Sequence, residues 1–180
     1  LAFRVQLMTT RDLTFAAENR QPLCFDCEVY GNYFLIGFKN YYTGKVWYCE
    51  KIEGCNEAKD TQLYHEFDTS MLEWILRSCY LVGFNSRSYD MIVTALALSG
   101  KSTVAIKQCS DMIIQWGEPG WQILKAYKAP QIKANHVDLI EVAPLGASLK
   151  TYGARLHTPF LQDLPFHPDT TLTAEQIAIK

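Results

Sequence analysis

The sequence has no apolar run of membrane-span length, no internal repeat and no low-complexity tract. Crossing a bilayer takes about 20 consecutive, mostly apolar residues, so no segment reads as a membrane helix. An initiator Met and a targeting segment are also missing from the start, Leu1-Ala2-Phe3-Arg4-Val5. The expectation is an excerpt of a longer, cytoplasmic protein. There is no excess of positive charge either. Lys and Arg number 17 against 19 Asp and Glu, a net charge of −2, whereas nucleic-acid-binding domains are often strongly basic. A nuclease that gathers carboxylates around metal ions can still be acidic, because the bound cations reverse the local field. Charge therefore excludes neither class. Cys24-Phe25-Asp26-Cys27 has CxxC spacing, but no second CxxC and no His pair follows it. On a strand Cys24 and Cys27 point to opposite faces and cannot share one ion. Buried thiols in a reducing compartment are the expectation for the six cysteines.

What is present is the balance of one globular domain: 180 residues, 48% hydrophobic and 20% charged. Residues 1–20 carry weak signals, and the alternation of Phe3, Val5 and Leu7 fits an edge strand or an arm from a preceding segment. From Gln21 to Glu28 the pattern is a strand. After the turn Tyr30-Gly31-Asn32 come a second strand, Tyr33 to Phe38, and a third, Lys45 to Cys49. Ser70-Met71-Leu72-Glu73 has the capping-box spacing for a helix whose apolar face is Leu72, Ile75, Leu76 and Cys79. Tyr80 to Phe84 reads as a buried parallel strand, Tyr89 to Leu98 as a helix, and Ser102 to Trp116 as another, stopped by Gly117-Glu118-Pro119-Gly120. His136 to Val142 is strand-like, Ser148 to Leu156 a short helix, and Thr173 opens a last one. The expected fold class is α/β over residues 21–180. Its sheet would be mixed, a three-strand antiparallel meander plus parallel strands, with helices on both faces.

Two carboxylates stand out inside an apolar strand, in Leu23-Cys24-Phe25-Asp26-Cys27-Glu28-Val29. Period 2 places Asp26 and Glu28 on one face, which is costly in a core strand unless something neutralises them. An edge strand with that face in water gives the same pattern. Hydrolysis of a phosphodiester needs a deprotonated water and relief of charge on the leaving oxygen. Two hard divalent ions held by converging carboxylates supply both. A third carboxylate, Asp90, follows the apolar strand Leu81 to Phe84 and Asn85 at the start of a helix. Ligands of open α/β sheets gather at the carboxyl ends of strands, so Asp90 can face the same point. A helix-start carboxylate favoured by the dipole needs no function at all.

Asp26-x-Glu28 before a meander, then Asn85-x-x-x-Tyr89-Asp90, resembles the first two motifs of DEDD (DnaQ-like) 3′–5′ exonucleases. Phe25 to Phe38 is similar to the proofreading domains of phage-type DNA polymerases. Val137-Asp138-Leu139, Ser148-Leu149-Lys150, Gln162-Asp163-Leu164-Pro165 and Leu172-Thr173 continue the likeness. The resemblance implies a ribonuclease-H-like sheet, two Mg²⁺ or Mn²⁺ ions on Asp26, Glu28 and Asp90, and a single-stranded or frayed DNA 3′ end as substrate. It also implies a polymerase domain in the same longer chain. Asp138 lies where relatives keep a structural aspartate. The family's third motif, Y-x-x-x-D or H-x-x-x-x-D, does not follow Asp90: Leu156 stands four residues after Tyr152, and Gln162 five after His157. The chain is expected to stop short of that motif.

In this family reading Asp26 bridges both ions, Glu28 holds one, and Asp90 holds the other. Asn85 contacts the terminal nucleotide or braces its loop. Tyr89 stacks on a base or is buried, and Arg87 pairs a phosphate or is a solvated loop residue. Tyr30, Tyr33 and Phe34 shape the terminal-base pocket or pack the core. Lys125, Lys128, Lys133, Lys150 and Arg155 form either a cationic track or a merely soluble surface. Asp163 and Asp169 read as turn residues, and the four histidines show no metal-ligand spacing. Two other functions fit the pattern: an RNA-trimming exonuclease, and a non-catalytic nucleic-acid-binding domain of nuclease-like fold.

Overall fold

The computed structural model describes residues 6–144, 146–158 and 165–179. Strands β1 (Pro22–Tyr30), β2 (Tyr33–Asn40) and β3 (Val46–Ile52) form an antiparallel meander. Strand β4 (Tyr80–Gly83) adds to β1 in parallel and β5 (His136–Asp138) adds to β4 in parallel, so the order is β3-β2-β1-β4-β5. The helices are α1 (Thr10–Glu18), α2 (Thr69–Ser78), α3 (Asp90–Leu98), α4 (Thr103–Trp116), α5 (Gly120–Ala126), α6 (Leu139–Val142), α7 (Leu149–Arg155) and α8 (Ala174–Ile177). The result is an open mixed α/β sheet flanked by helices. Among the described residues no helix is long and apolar enough to cross a membrane.

Strand register divides the sheet into two unlike faces. Leu23, Phe25, Cys27 and Val29 share one face with Phe34, Ile36 and Phe38 and with Leu81. That face is buried in a single cluster with apolar side chains of α1 to α5. The other face is covered at one end. There Tyr30, Tyr33 and Ile52 pack with Ala58 of a 3₁₀ turn (Asn56–Asp60) and with Leu172 and Ile177 of the C-terminal segment. Asn32 holds that segment in place. Its carboxamide donates to the Leu172 carbonyl at 2.9 Å and accepts from the Leu172 N–H at 2.9 Å. The middle of this face, with Cys24, Asp26 and Lys39, is exposed.

Several sequence expectations change. The described part of the segment expected as an arm, residues 6–20, packs on the domain: Thr9 and Asp12 make a reciprocal capping box for α1, and Met8, Leu13 and Ala16 join the main core. Leu7 does bridge the sheet edge at Val46, while Phe3 and Val5 lie outside the described residues. Helix α2 starts earlier than Ser70 implies, because the Asp68 carboxylate accepts the Met71 N–H at 2.9 Å and is the cap. The turn after α4 is followed at once by α5. Gly120 permits this, since a Cβ there would lie 2.6 Å from two carbons of Ile92 on α3. The stretch His136 to Val142 is a strand only as far as Asp138, whose side chain accepts the Ile140 N–H and starts α6. Asp169 is more than a turn residue, for it pairs with Lys107 at 2.8 Å. Gln162-Asp163-Leu164 lie outside the described residues.

Gly83, the last residue of β4, has no room for a side chain, because a Cβ would run into Ser86 and the ring of Phe25. Gly83→Ala is therefore expected to destabilise the fold by about 1–3 kcal/mol through overpacking. Urea denaturation at constant pH measures this, and an unchanged midpoint would contradict the close approach.

Candidate active site

β1 carries Asp26 and Glu28 on the less covered face, two residues and roughly 7 Å apart along the strand. Asp90 reaches them from the first turn of α3. One of its oxygens accepts the Cys27 N–H at 2.9 Å, which is the backbone amide next to Asp26. The side chain of Asp90 is buried, and its carboxyl lies close to that of Asp26. Two carboxyls in contact cannot both ionise cheaply. Burial first, then the charge of Asp26 and the hydrogen bond to it, raise the pKa of Asp90 to about 8. Of the two, Asp90 is the one pushed to keep its proton to the higher pH. Asp26 is itself raised, first by desolvation of its carboxyl against the neighbouring groups although the residue stays exposed to solvent, while its closeness to Asp90 works the other way. Glu28 is raised by burial and then by the charge of Asp26. Asp26 is thus the hinge of the set, touching Asp90 and felt by Glu28. Among the described residues, no three Asp, Glu, His or Cys side chains converge closely enough to form a ready metal-holding group.

The loop that presents Asp90 is held by Asp138 at the end of β5. The buried Asp138 carboxylate accepts the Asn85 N–H at 2.7 Å and the Ile140 N–H at 3.2 Å on one oxygen. Its other oxygen accepts the Arg87 N–H at 2.9 Å. Asn85 adopts a left-handed backbone, φ 57°, which turns the chain sharply off the strand. Ser86, fully buried, lies 3.1 Å from His136 Nε2. Burial and then the charge of Arg87 hold the His136 pKa below its usual range.

The remaining expected site residues part company. Asn85 and Arg87 are exposed at the mouth of a groove of about 800 Å³, and Arg87 pairs with Glu141 at 2.8 Å. Tyr89 is half-buried under α4, with its hydroxyl 2.8 Å from Ser110 Oγ, so it braces a helix and its phenol is already committed. Tyr30 and Tyr33 are buried, and the Tyr33 hydroxyl donates to Glu50 at 2.9 Å. Both line a cavity of about 100 Å³ beside Glu28, closed by Phe166, Leu172 and Ile177. Phe34 is fully buried in the main core. Lys125, Lys128 and Lys133 fall on α5 and the link to β5, whereas Lys150 and Arg155 sit apart on α7. Cys24 is exposed and Cys27 buried, on opposite faces. Sequence reasoning missed Trp121, which lines the groove together with Asn85. Its signal would have been a helix beginning directly at Gly120.

The folded chain keeps a proton on Asp90 that an unfolded aspartate, with a pKa near 3.8, gives up. The folded state therefore binds the extra proton between about pH 4 and 8, and this contribution to stability falls as pH rises through that window. Asp90→Asn removes it. The variant is expected to melt above the wild type at pH 8, with the gap closing towards pH 4. Parallel melting curves across that range would refute the shared proton. The chain matches no protein-family model, no curated protein and no solved structure.

Proposed function

We propose that the chain is a 3′–5′ exonuclease domain that hydrolyses phosphodiesters at DNA 3′ ends with two divalent cations, Mg²⁺ or Mn²⁺. The observation that carries this reading is buried Asp90, fixed on the Cys27 N–H at 2.9 Å next to Asp26, with no Lys or Arg ion pair to either carboxyl among the described residues. Glu28 flanks the pair on the same strand face. The donors are all oxygen and anionic, the chemistry that hard divalent ions take, so Asp26, Glu28 and Asp90 fit as the residues that would hold them. Bound there, the ions supply a water acidic enough to ionise near neutral pH and offset charge on the leaving oxygen.

The protein's own residues position and shield. Asp138 fixes the Asn85–Arg87 turn, so Asp90 enters the site on a rigid loop rather than a mobile one. Cys27 contributes its backbone N–H to Asp90 and puts an apolar thiol beneath the pair. Asn85 offers an exposed carboxamide at the edge of the site for the terminal nucleotide. The choice of DNA, and the setting as the proofreading domain of a phage-type polymerase with a polymerase domain in the same longer chain, rest on the motif resemblance at Asp26-x-Glu28 and Asn85-x-x-x-Tyr89-Asp90.

Single-stranded DNA labelled near its 5′ end, incubated with the chain and Mg²⁺ or Mn²⁺, is expected to shorten stepwise from the 3′ end. Asp26→Ala or Asp90→Ala lowers the rate by at least about a hundredfold, the scale of several kcal/mol of metal-derived stabilisation. Failure to shorten DNA or RNA by a chain that still binds them identifies the non-catalytic binding domain instead. Metal binding has its own readout. Adding Mn²⁺ at pH 7 in weak buffer is expected to release protons from the wild type and clearly fewer from Asp90→Asn. Equal release from both would remove the pair from the ligand set.

A further inference from the structure

On the β4 side, Cys27 lies beyond the end of the neighbouring strand. Parallel pairing of β1 with β4 runs from Pro22 opposite Tyr80 to Cys24 opposite Val82, and β4 ends at Gly83. The Cys27 N–H bonds the Asp90 carboxylate instead, at 2.9 Å. How far Asp90 reaches towards β1 therefore depends on where the turn between β4 and α3 stands. Asp138 holds that turn by its backbone, at the Asn85 and Arg87 N–H groups. Ser86, between them, is held by its side chain. It is fully buried, and among the described residues its hydroxyl has His136 Nε2 as partner, at 3.1 Å. The Ser86 carbonyl in turn accepts the Met91 N–H at 2.9 Å, the amide that follows Asp90 in the first turn of α3.

The surroundings of this contact are closed. A Cβ on Gly83 would run into Ser86 Oγ and the Phe25 ring, so the bare glycine leaves the hydroxyl its place over the end of β4. The His136 ring meets Phe25 edge-on, with centroids 5.9 Å apart. His136 thus touches both carriers of the carboxylates: the turn that delivers Asp90, through Ser86, and Phe25, the residue before Asp26. It does so from β5, half-buried in the wall of a cavity of about 360 Å³. An apolar side chain could fill that wall, but a buried hydroxyl needs a hydrogen-bonding partner. We propose that His136 is a positioning residue of the carboxylate site, holding Ser86 and through it the turn in the setting where Asp90 reaches the Cys27 amide beside Asp26. The placement of Asp90 is geometry alone. Its effect on catalysis rests on the exonuclease reading.

The placement is read in EDTA from hydrogen exchange of the Cys27 amide, with Phe38 in β2 as the reference. His136→Ala and Ser86→Ala are each expected to speed Cys27 exchange about tenfold relative to Phe38, the scale of one lost hydrogen bond. The double variant should go no further than either single one, because both break the same contact. His136→Gln, whose carboxamide can stand in for Nε2, should restore most of the protection. A purely structural loss would speed both amides together. Unchanged Cys27 protection in either single variant, or effects that multiply in the double one, overturns the inference. With Mg²⁺, the two single variants are expected to shorten single-stranded DNA with kcat lowered about tenfold and KM unchanged, since a small misplacement of a reacting group costs rate. If Cys27 responds but the wild type never shortens a strand, the positioning role stands and the exonuclease fails. If Cys27 is indifferent while Asp26→Ala abolishes shortening, the positioning role fails and the exonuclease stands.

Discussion

A single buried carboxylate sets the geometry on which the site depends. Asp138 accepts three backbone N–H groups, from Asn85, Arg87 and Ile140. A side chain so satisfied spends its acceptors on the backbone of the turn. The same three bonds use up donors that a sharp turn would otherwise leave unpaired. They also couple β5 to the exit of β4. The left-handed Asn85, the buried Ser86 and the cramped Gly83 all lie inside this one clasp. Asp90 begins its helix just beyond.

The contrast with Asp26 and Asp90 is chemical. Asp138 is surrounded by donors, and those two mostly by each other. The fold holds them together through the Cys27 N–H and the packing of α3 on β1, and the cost appears as raised pKa values. Burial of like charges without a partner is unfavourable, and sites that keep such an arrangement are candidates for function.

Much of this was legible in the sequence because it depended on short periods. The alternation in β1 put Asp26 and Glu28 on one face and Cys24 opposite Cys27. The apolar run before Asn85 placed β4, and Ser102 and Gly117 bounded α4. What was missed depended on competition or on distance. Ser70-x-x-Glu73 has the spacing of a capping box, but Asp68 lies two residues earlier and caps more strongly as a charged acceptor. Thr9-x-x-Asp12 is the box that does form, with Asp standing in for the more usual Glu. Helix α5 was hidden because Gly and Pro usually end helices, whereas here Gly120 is needed for contact with Ile92. Tyr30 and Tyr33 looked available because the strand pattern cannot show that residues far along the chain cover them. Nor can spacing show that Asp90 would reach the Cys27 amide, or that Asp26, Glu28 and Asp90 would stay short of a ready metal-holding group.

The Asn32 clasp has a consequence for the order of assembly. It joins residues 140 positions apart, nearly the whole described chain, while the meander beneath it is built from neighbours. Loops close at an entropic cost that grows with length, and distant contacts slow folding. The hairpin of β1 and β2 can therefore form long before Leu172 has anything to dock on. The walls beside Glu28 are completed last, and by the same accounting of contacts they open first. Hydrogen exchange would then read a gradient across a single strand, with Phe25 and Cys27 protected to the limit of global unfolding and the Tyr30 end yielding earlier.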